Sequence, residues 1–269
     1  MAGFGEVSRR LCAVAVTVLL GGAWVTLEAA RVRLVDGGMT QGHRLAGVQI
    51  ELDPGWKTYW RVPGESGVPP VFDWSGSDNL KRAEVLYPAP ARLHDQGGEA
   101  IGYKEEVIFP VEVEASDPAR PVSLKLDLHF AVCQAICVPA EATLALALPA
   151  AREPDADGAL VRAALAKVPA APVGGLAVSD ARLRPAPAGE GYELVVRLDG
   201  PGASEADIFV EGFQDAYFGK PRPLDTASRS ASYRLPVVGL KQPDGLIGKP
   251  LMLTVVARDS SVVRSVIVH

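Results

Sequence analysis

Between Val122 and Val132 apolar and polar residues alternate without a break. Val122, Leu124, Leu126, Leu128, Phe130 and Val132 fall on one face, and Ser123, Lys125, Asp127, His129 and Ala131 on the other. A period of two is the mark of a strand with one buried face. Leu144, Leu146 and Leu148 repeat the pattern, so the two runs read as a hairpin. Upstream the same reading predicts strands over 45–52, 56–61, 71–74, 84–86 and 106–113, punctuated by Asp53-Pro54-Gly55, Pro63-Gly64, Gly97-Gly98 and Asp117-Pro118. Residues 149–175 change character, being rich in alanine and proline. One helix is predicted there over 159–167, with Asp157 as its cap and Pro169 as its end. Strands resume over 176–183, 192–198, 207–210, 230–236, 251–257 and 262–268. The expected architecture is all-β: two sandwiches, residues 31–150 and 176–269, joined by a short, partly helical linker over 151–175.

Residues 1–30 read differently, as a signal peptide. Arg9 and Arg10 supply a positive start, Leu11 to Leu27 carries no charge, and Ala29 and Ala30 offer small residues for cleavage. The apolar run falls short of the ~20 residues a spanning helix needs. No other stretch is apolar enough to cross a membrane, so the expectation is an exported chain without a membrane span after signal removal. Over the 269 residues, 27 basic side chains face 32 acidic ones with no basic run, which argues against nucleic acid as a partner. The four histidines show no zinc-type spacing, and neither a cofactor nor a metal is expected.

Of three cysteines, Cys12 lies in the signal segment, leaving Cys133 and Cys137 where the hairpin turns. Strand phase places Cys133 off the apolar face at the hairpin tip, within reach of a partner. Pro139 opposes a helix running through the pair. Three chemistries compete. A structural disulfide closing about five residues adds only about 2 kcal/mol by chain entropy. A sandwich-spanning bridge would need distant cysteines in the buried phase. Two thiolates with His129 would suit copper(I), although no methionine lies near. A reversible redox pair exchanging with another protein's dithiol suits an oxidising compartment and a small loop. No lysine or arginine lies between His129 and Ala151 to favour a thiolate, so slow reaction with small oxidants is expected.

The run Phe130-Ala-Val-Cys133-Gln-Ala-Ile-Cys137-Val-Pro139-Ala-Glu141 resembles the active-site hairpin of the N-terminal periplasmic domain of DsbD-type thiol:disulfide interchange proteins, and most nearly the ScsB-like branch. Two further blocks, Pro54 to Gly67 and Gly102-Tyr103 through Val107 to Val111, resemble that branch in the same order, so the likeness covers roughly residues 45 to 150. The resemblance implies an immunoglobulin-like sandwich in the periplasm. Its dithiol would take electrons from a membrane thiol reductase and pass them to thioredoxin-like or disulfide-isomerase proteins, or to cytochrome c maturation factors. Cys137 matches the cysteine that bonds partners, and Cys133 its resolving neighbour. Tyr59 matches a ring lining the site. The family's capping loop finds its nearest equivalent in Glu99 to Tyr103, with Ile101 or Tyr103 in place of the usual aromatic. Trp56 and Trp60 are expected in the core. The family commonly continues into a transmembrane and a thioredoxin-like domain, whereas this chain stops at His269, so a separate donor is expected. The rival expectation is a copper-binding or assembly module with an inert disulfide.

Overall fold

The computed structural model describes residues 22–269, apart from 41, 65–66, 96–97, 151–155, 173–174, 188–190 and 214–215. Strands account for 59% of the described residues and helix for 7%, arranged as immunoglobulin-like sandwiches. In the first, one sheet runs β1 (Val25–Leu27), β2 (Ala30–Thr40), β3 (His43–Leu52), β9 (Glu106–Ala115) and β6 (Leu80–Val85). The facing sheet runs β11 (Cys137–Leu148), β10 (Val122–Cys133), β4 (Lys57–Tyr59), β8 (Gly98–Lys104) and β7 (Ala91–Asp95). A short β5 (Val71–Asp73) pairs with β10 beside His129.

The alternation of β10 works as read. Leu124, Leu126, Leu128 and Phe130 meet Leu34, Val48, Ile50 and Phe109 across the sandwich, all buried. Each such side chain contributes roughly 1.5–3 kcal/mol of burial free energy. Trp60 is fully buried in the same core and Trp56 packs at its margin. Strand β11 starts well before the Leu144–Leu148 alternation, at Cys137, and runs straight through Pro139, which stands opposite Ala131. It tolerates proline because, among the described residues, β11 pairs only with β10, so no ladder bond is lost on its open edge.

The linker helix α1 (Ala156–Leu165) begins before its expected start. Asp157 therefore stands inside the first turn rather than at a cap, 3.4 Å from Arg33. Val161 is fully buried against Val35 and Leu45. Gly47 admits it: a Cβ there would lie 2.8 Å from a Val161 methyl carbon. The second domain pairs β12 (Ala177–Pro185), β13 (Tyr192–Asp199), β17 (Ser230–Val238) and β15 (Tyr217–Phe218), with β16 (Arg222–Ala227) also on β17. Its other sheet is β14 (Asp207–Glu211), β18 (Pro250–Val256) and β19 (Ser261–Ile267).

Arg9, Arg10, Cys12 and most of the expected signal segment lie outside the described residues. The described part of that segment joins the first sheet, Val25–Leu27 pairing with Ala30–Val32. Among the described residues, no helix is long and apolar enough to cross a membrane.

Candidate active site at the β10–β11 hairpin

The β10–β11 register ends on Cys133 opposite Cys137, connected by Gln134, Ala135 and Ile136. Facing residues of an antiparallel pair project to the same side, and the two sulfurs are bonded, with Cα atoms 4.1 Å apart. That span sits just under the usual disulfide range of about 4.4–6.8 Å, as expected where a hairpin closes tightly.

The two sulfurs have unlike surroundings. Cys133 lies off the main core, as its strand phase predicts, yet it is only 1% exposed. The expectation that a partner reaches Cys133 at the tip is therefore corrected. A second layer, Tyr59, Ala100 and Ala131, closes over it. Cys137, one rung across on the open edge strand, is exposed, and beside it Ile136 is 71% exposed.

Tyr59 organises this layer. Its hydroxyl donates to Cys133 Sγ at 2.8 Å and lies 3.2 Å from Cys137 Sγ. The ring is held by its strand: β4 pairs with β10 at Thr58–Val132 and with β8 at Tyr59–Gly102. The Thr58 hydroxyl donates to the Ala131 carbonyl at 2.9 Å. Gly102 is required here, because a Cβ would lie 2.0 Å from the Thr58 carbonyl oxygen and 2.9 Å from Tyr59 Cα. On the outer side Gly67 presses on the Tyr59 ring, where an added Cβ would sit 2.7 Å from a ring carbon.

Two expected capping residues are elsewhere. Residues 100, 102 and 104 of β8 share the cysteine face, so 101 and 103 face the other way. Ile101 and Tyr103 are accordingly buried in the main core. Tyr103 donates to the Pro88 carbonyl at 2.8 Å and meets Phe109 edge-on, and burial pushes its phenol pKa well above the ordinary value. Ala100, rather than either of these, is the β8 side chain against Cys133.

A cation unseen in the local sequence also joins the site. Lys57 stands directly opposite Cys133 on β4 and is 5% exposed, with Lys104 opposite it in turn on β8. The absence of basic residues within the hairpin thus misdescribes the neighbourhood, since β4 supplies one across the sheet. His129 does not meet the sulfurs. It is four residues back along β10, roughly 13 Å at strand rise, and lies 3.3 Å from exposed Glu141. A copper set of His129 and both cysteines is not assembled.

The family description "Thiol:disulfide interchange protein DsbD, N-terminal" matches residues 26–149. Over those residues the chain is similar to a DsbD N-terminal domain. Comparison with curated proteins found no match. Among solved structures, the N-terminal periplasmic domain of ScsB from Proteus mirabilis is similar at a TM-score of 0.74 and 24% identity, over 92% of this chain and 97% of that one. That likeness is one of fold, and it spans the second sandwich as well as the DsbD-like domain. Within the DsbD-like domain, Cys133, Cys137 and Tyr59 are brought together as the sequence blocks imply.

The DsbD-like domain is expected to fold without its bridge, because so short a loop constrains the unfolded chain weakly. Reduction is expected to cost about 2 kcal/mol or less. Thermal melts of oxidised and reduced protein check this; collapse of the fold on reduction would mark the bond as structural.

Proposed function

We propose that the chain is an exported thiol–disulfide electron carrier. It accepts electrons from a membrane thiol reductase and passes them to periplasmic thioredoxin-like or disulfide-isomerase proteins. The observation that carries this reading is the asymmetry of the pair: Cys137 exposed, Cys133 buried, and one tyrosine hydroxyl touching both sulfurs. The interchange family matched by residues 26–149 supports the chemistry, and the periplasmic setting of the ScsB domain supports the compartment.

Access decides which sulfur reacts. To charge the pair, a donor thiolate attacks Cys137 Sγ, the Cys133–Cys137 bond breaks, and Cys133 leaves as a thiolate beneath the Tyr59 hydroxyl. The donor's second thiol then attacks the mixed disulfide, expelling Cys137 and leaving the donor oxidised. Two electrons and two protons have moved. Discharge reverses the order: the Cys137 thiolate attacks the partner's disulfide and expels one partner thiolate. Cys133 then attacks Cys137 Sγ, re-forms the bond and frees the reduced partner. No cofactor enters either half.

Burial of Cys133 leaves only Cys137 open to a small oxidant, which has no docked surface to hold it against that sulfur. A docked protein brings its sulfur to Cys137 directly. The reduced chain is expected to react with an oxidised thioredoxin-like partner faster than with oxidised glutathione, by about 100-fold or more, the scale that positioning supplies. Stopped-flow measurement of both rates tests this. Equal rates would contradict delivery by docking, and no transfer to any thioredoxin-like partner would leave an inert disulfide in an assembly module.

A further inference from the structure

Strand β14 belongs to the second sandwich, yet its alternate residues are bound into the first. Asp207 accepts from Arg92 Nε and Nη2 at 3.1 Å each, and the Ile208 carbonyl accepts from Nη2 at 3.1 Å. Phe209 is 1% exposed, meets Trp60 edge-on with ring centroids 5.8 Å apart, and lies in the first domain's core. Glu211 takes Nε and Nη2 of Arg61 in a two-pronged pair, both at 2.7 Å. Asp207, Phe209 and Glu211 share one strand face by period. They enter the first domain as a plug of two acids flanking an aromatic ring.

What the plug contacts is the backing of the redox pair. Trp60 and Arg61 directly follow Tyr59, and the Trp60 amide donates to the Ile101 carbonyl at 2.9 Å. Arg61 lies over the Trp60 ring at 4.4 Å. Arg92 also binds Glu99, which accepts from the Tyr217 hydroxyl of the second domain at 3.2 Å. Glu99 immediately precedes Ala100, the β8 residue against Cys133. The Arg92 side chain is 4% exposed, and the acids beside it hold its charge firmly in place. A buried guanidinium without its acids is strongly unfavourable, so these contacts fix geometry rather than decorate a surface. A cleft of about 820 Å³ lined by Arg61, Gly64, Ile101, Phe209 and Tyr217 runs along the same junction, and neither cysteine lines it.

We infer that β14 is a positioning element for the disulfide: by seating Phe209 behind Trp60 and fixing Arg61 and Arg92, it holds the Tyr59 hydroxyl on the two sulfurs and β8 over Cys133. Asp207, Phe209 and Glu211 are positioning residues, since none touches sulfur. The inference rests on reading the pair as an exchange site. It gives the second sandwich a role there, keeping Cys133 closed until a partner has docked at Cys137.

The test uses the full chain and needs no protein partner. In the reduced protein each thiolate displaces iodide from iodoacetamide, and mass spectrometry of the digest gives the alkylation rate at each cysteine. In the native chain Cys137 is expected to react well ahead of Cys133. Phe209→Ala should raise the rate at Cys133 relative to Cys137 by about tenfold, as local opening of the covering layer becomes easier. Phe209→Leu should restore most of the native ratio. An unchanged ratio in Phe209→Ala, with circular dichroism showing both sandwiches folded, would overturn the inference. Should Phe209→Ala not fold, the Asp207→Asn/Glu211→Gln double variant keeps the ring and should shift the ratio in the same direction. No shift there would overturn the inference equally. The exchange reading fails separately, by absence of transfer to a thioredoxin-like partner, while the alkylation ratio still reports on the plug.

Discussion

Tyr59→Phe is expected to raise the pKa of the more acidic thiol of the reduced pair by about 1–2 units. The hydroxyl reaches both sulfurs in the oxidised protein, at 2.8 and 3.2 Å, where they are weak acceptors. Once the bond opens, one sulfur carries charge and becomes a strong acceptor for the same donor. A hydrogen bond to a charged group is worth about 1.5–3 kcal/mol, and 1.36 kcal/mol corresponds to one pKa unit. The phenyl ring keeps the packing against Gly67 and Ala100, so the loss is electrostatic. Because the bond favours the reduced form, its removal should also make the reduction potential more negative. The fall is about 30–60 mV at a pH where the thiolate is populated, taking 30 mV as roughly 1.4 kcal/mol for two electrons. Ultraviolet titration of the thiolate and equilibration with glutathione measure the two quantities. An unchanged titration would show that the hydroxyl packs beside the sulfurs without stabilising them.

Much of the first domain was legible because β10 as far as His129, and β11 throughout, bury one face only. Where burial departs from one-sided, the period-two signal fails. Strand β2 is buried on both sides between Val35 and Leu34, since α1 covers the outer face, and its register slips between Asp36 and Gly38. It was not read as a strand. Strand β8 carries glycine at 98 and 102, which weakens the pattern, although Gly102 is what lets β4 approach. Strand β16 is exposed throughout and offers no apolar face to recognise.

The site was legible for a different reason, in that its two cysteines and Tyr59 lie inside recognisable blocks. The remainder comes from pairing between distant strands. Lys57 stands opposite Cys133 only through the β4–β10 register, which no local window contains. The cap assignment failed by one residue: in β8 a shift of one exchanges faces, so Ala100 lies on the sulfurs while Ile101 and Tyr103 enter the core. Phe209 read as part of an ordinary strand, 207–210, because its partner Trp60 belongs to the other sandwich.

The proposed role of each cysteine rests on exposure, and trapping tests it most directly. Cys133→Ala and Cys137→Ala variants would each be offered a thioredoxin-like protein that lacks its resolving cysteine and carries its attacking cysteine as a mixed disulfide with thionitrobenzoate, which leaves as a thiolate when the variant's own thiolate attacks the partner's sulfur. With Cys133 gone, nothing can expel the partner from Cys137, so a stable mixed disulfide through Cys137 should accumulate. With Cys137 gone, the remaining sulfur at Cys133 lies beneath Tyr59 and Ala100, and trapping should be at least about tenfold weaker, as required of a site that must open locally before it reacts. Non-reducing electrophoresis with mass spectrometry of the linked peptides reads both outcomes. Equal trapping by the two variants would contradict the division of roles, and trapping by neither would contradict thiol–disulfide exchange itself.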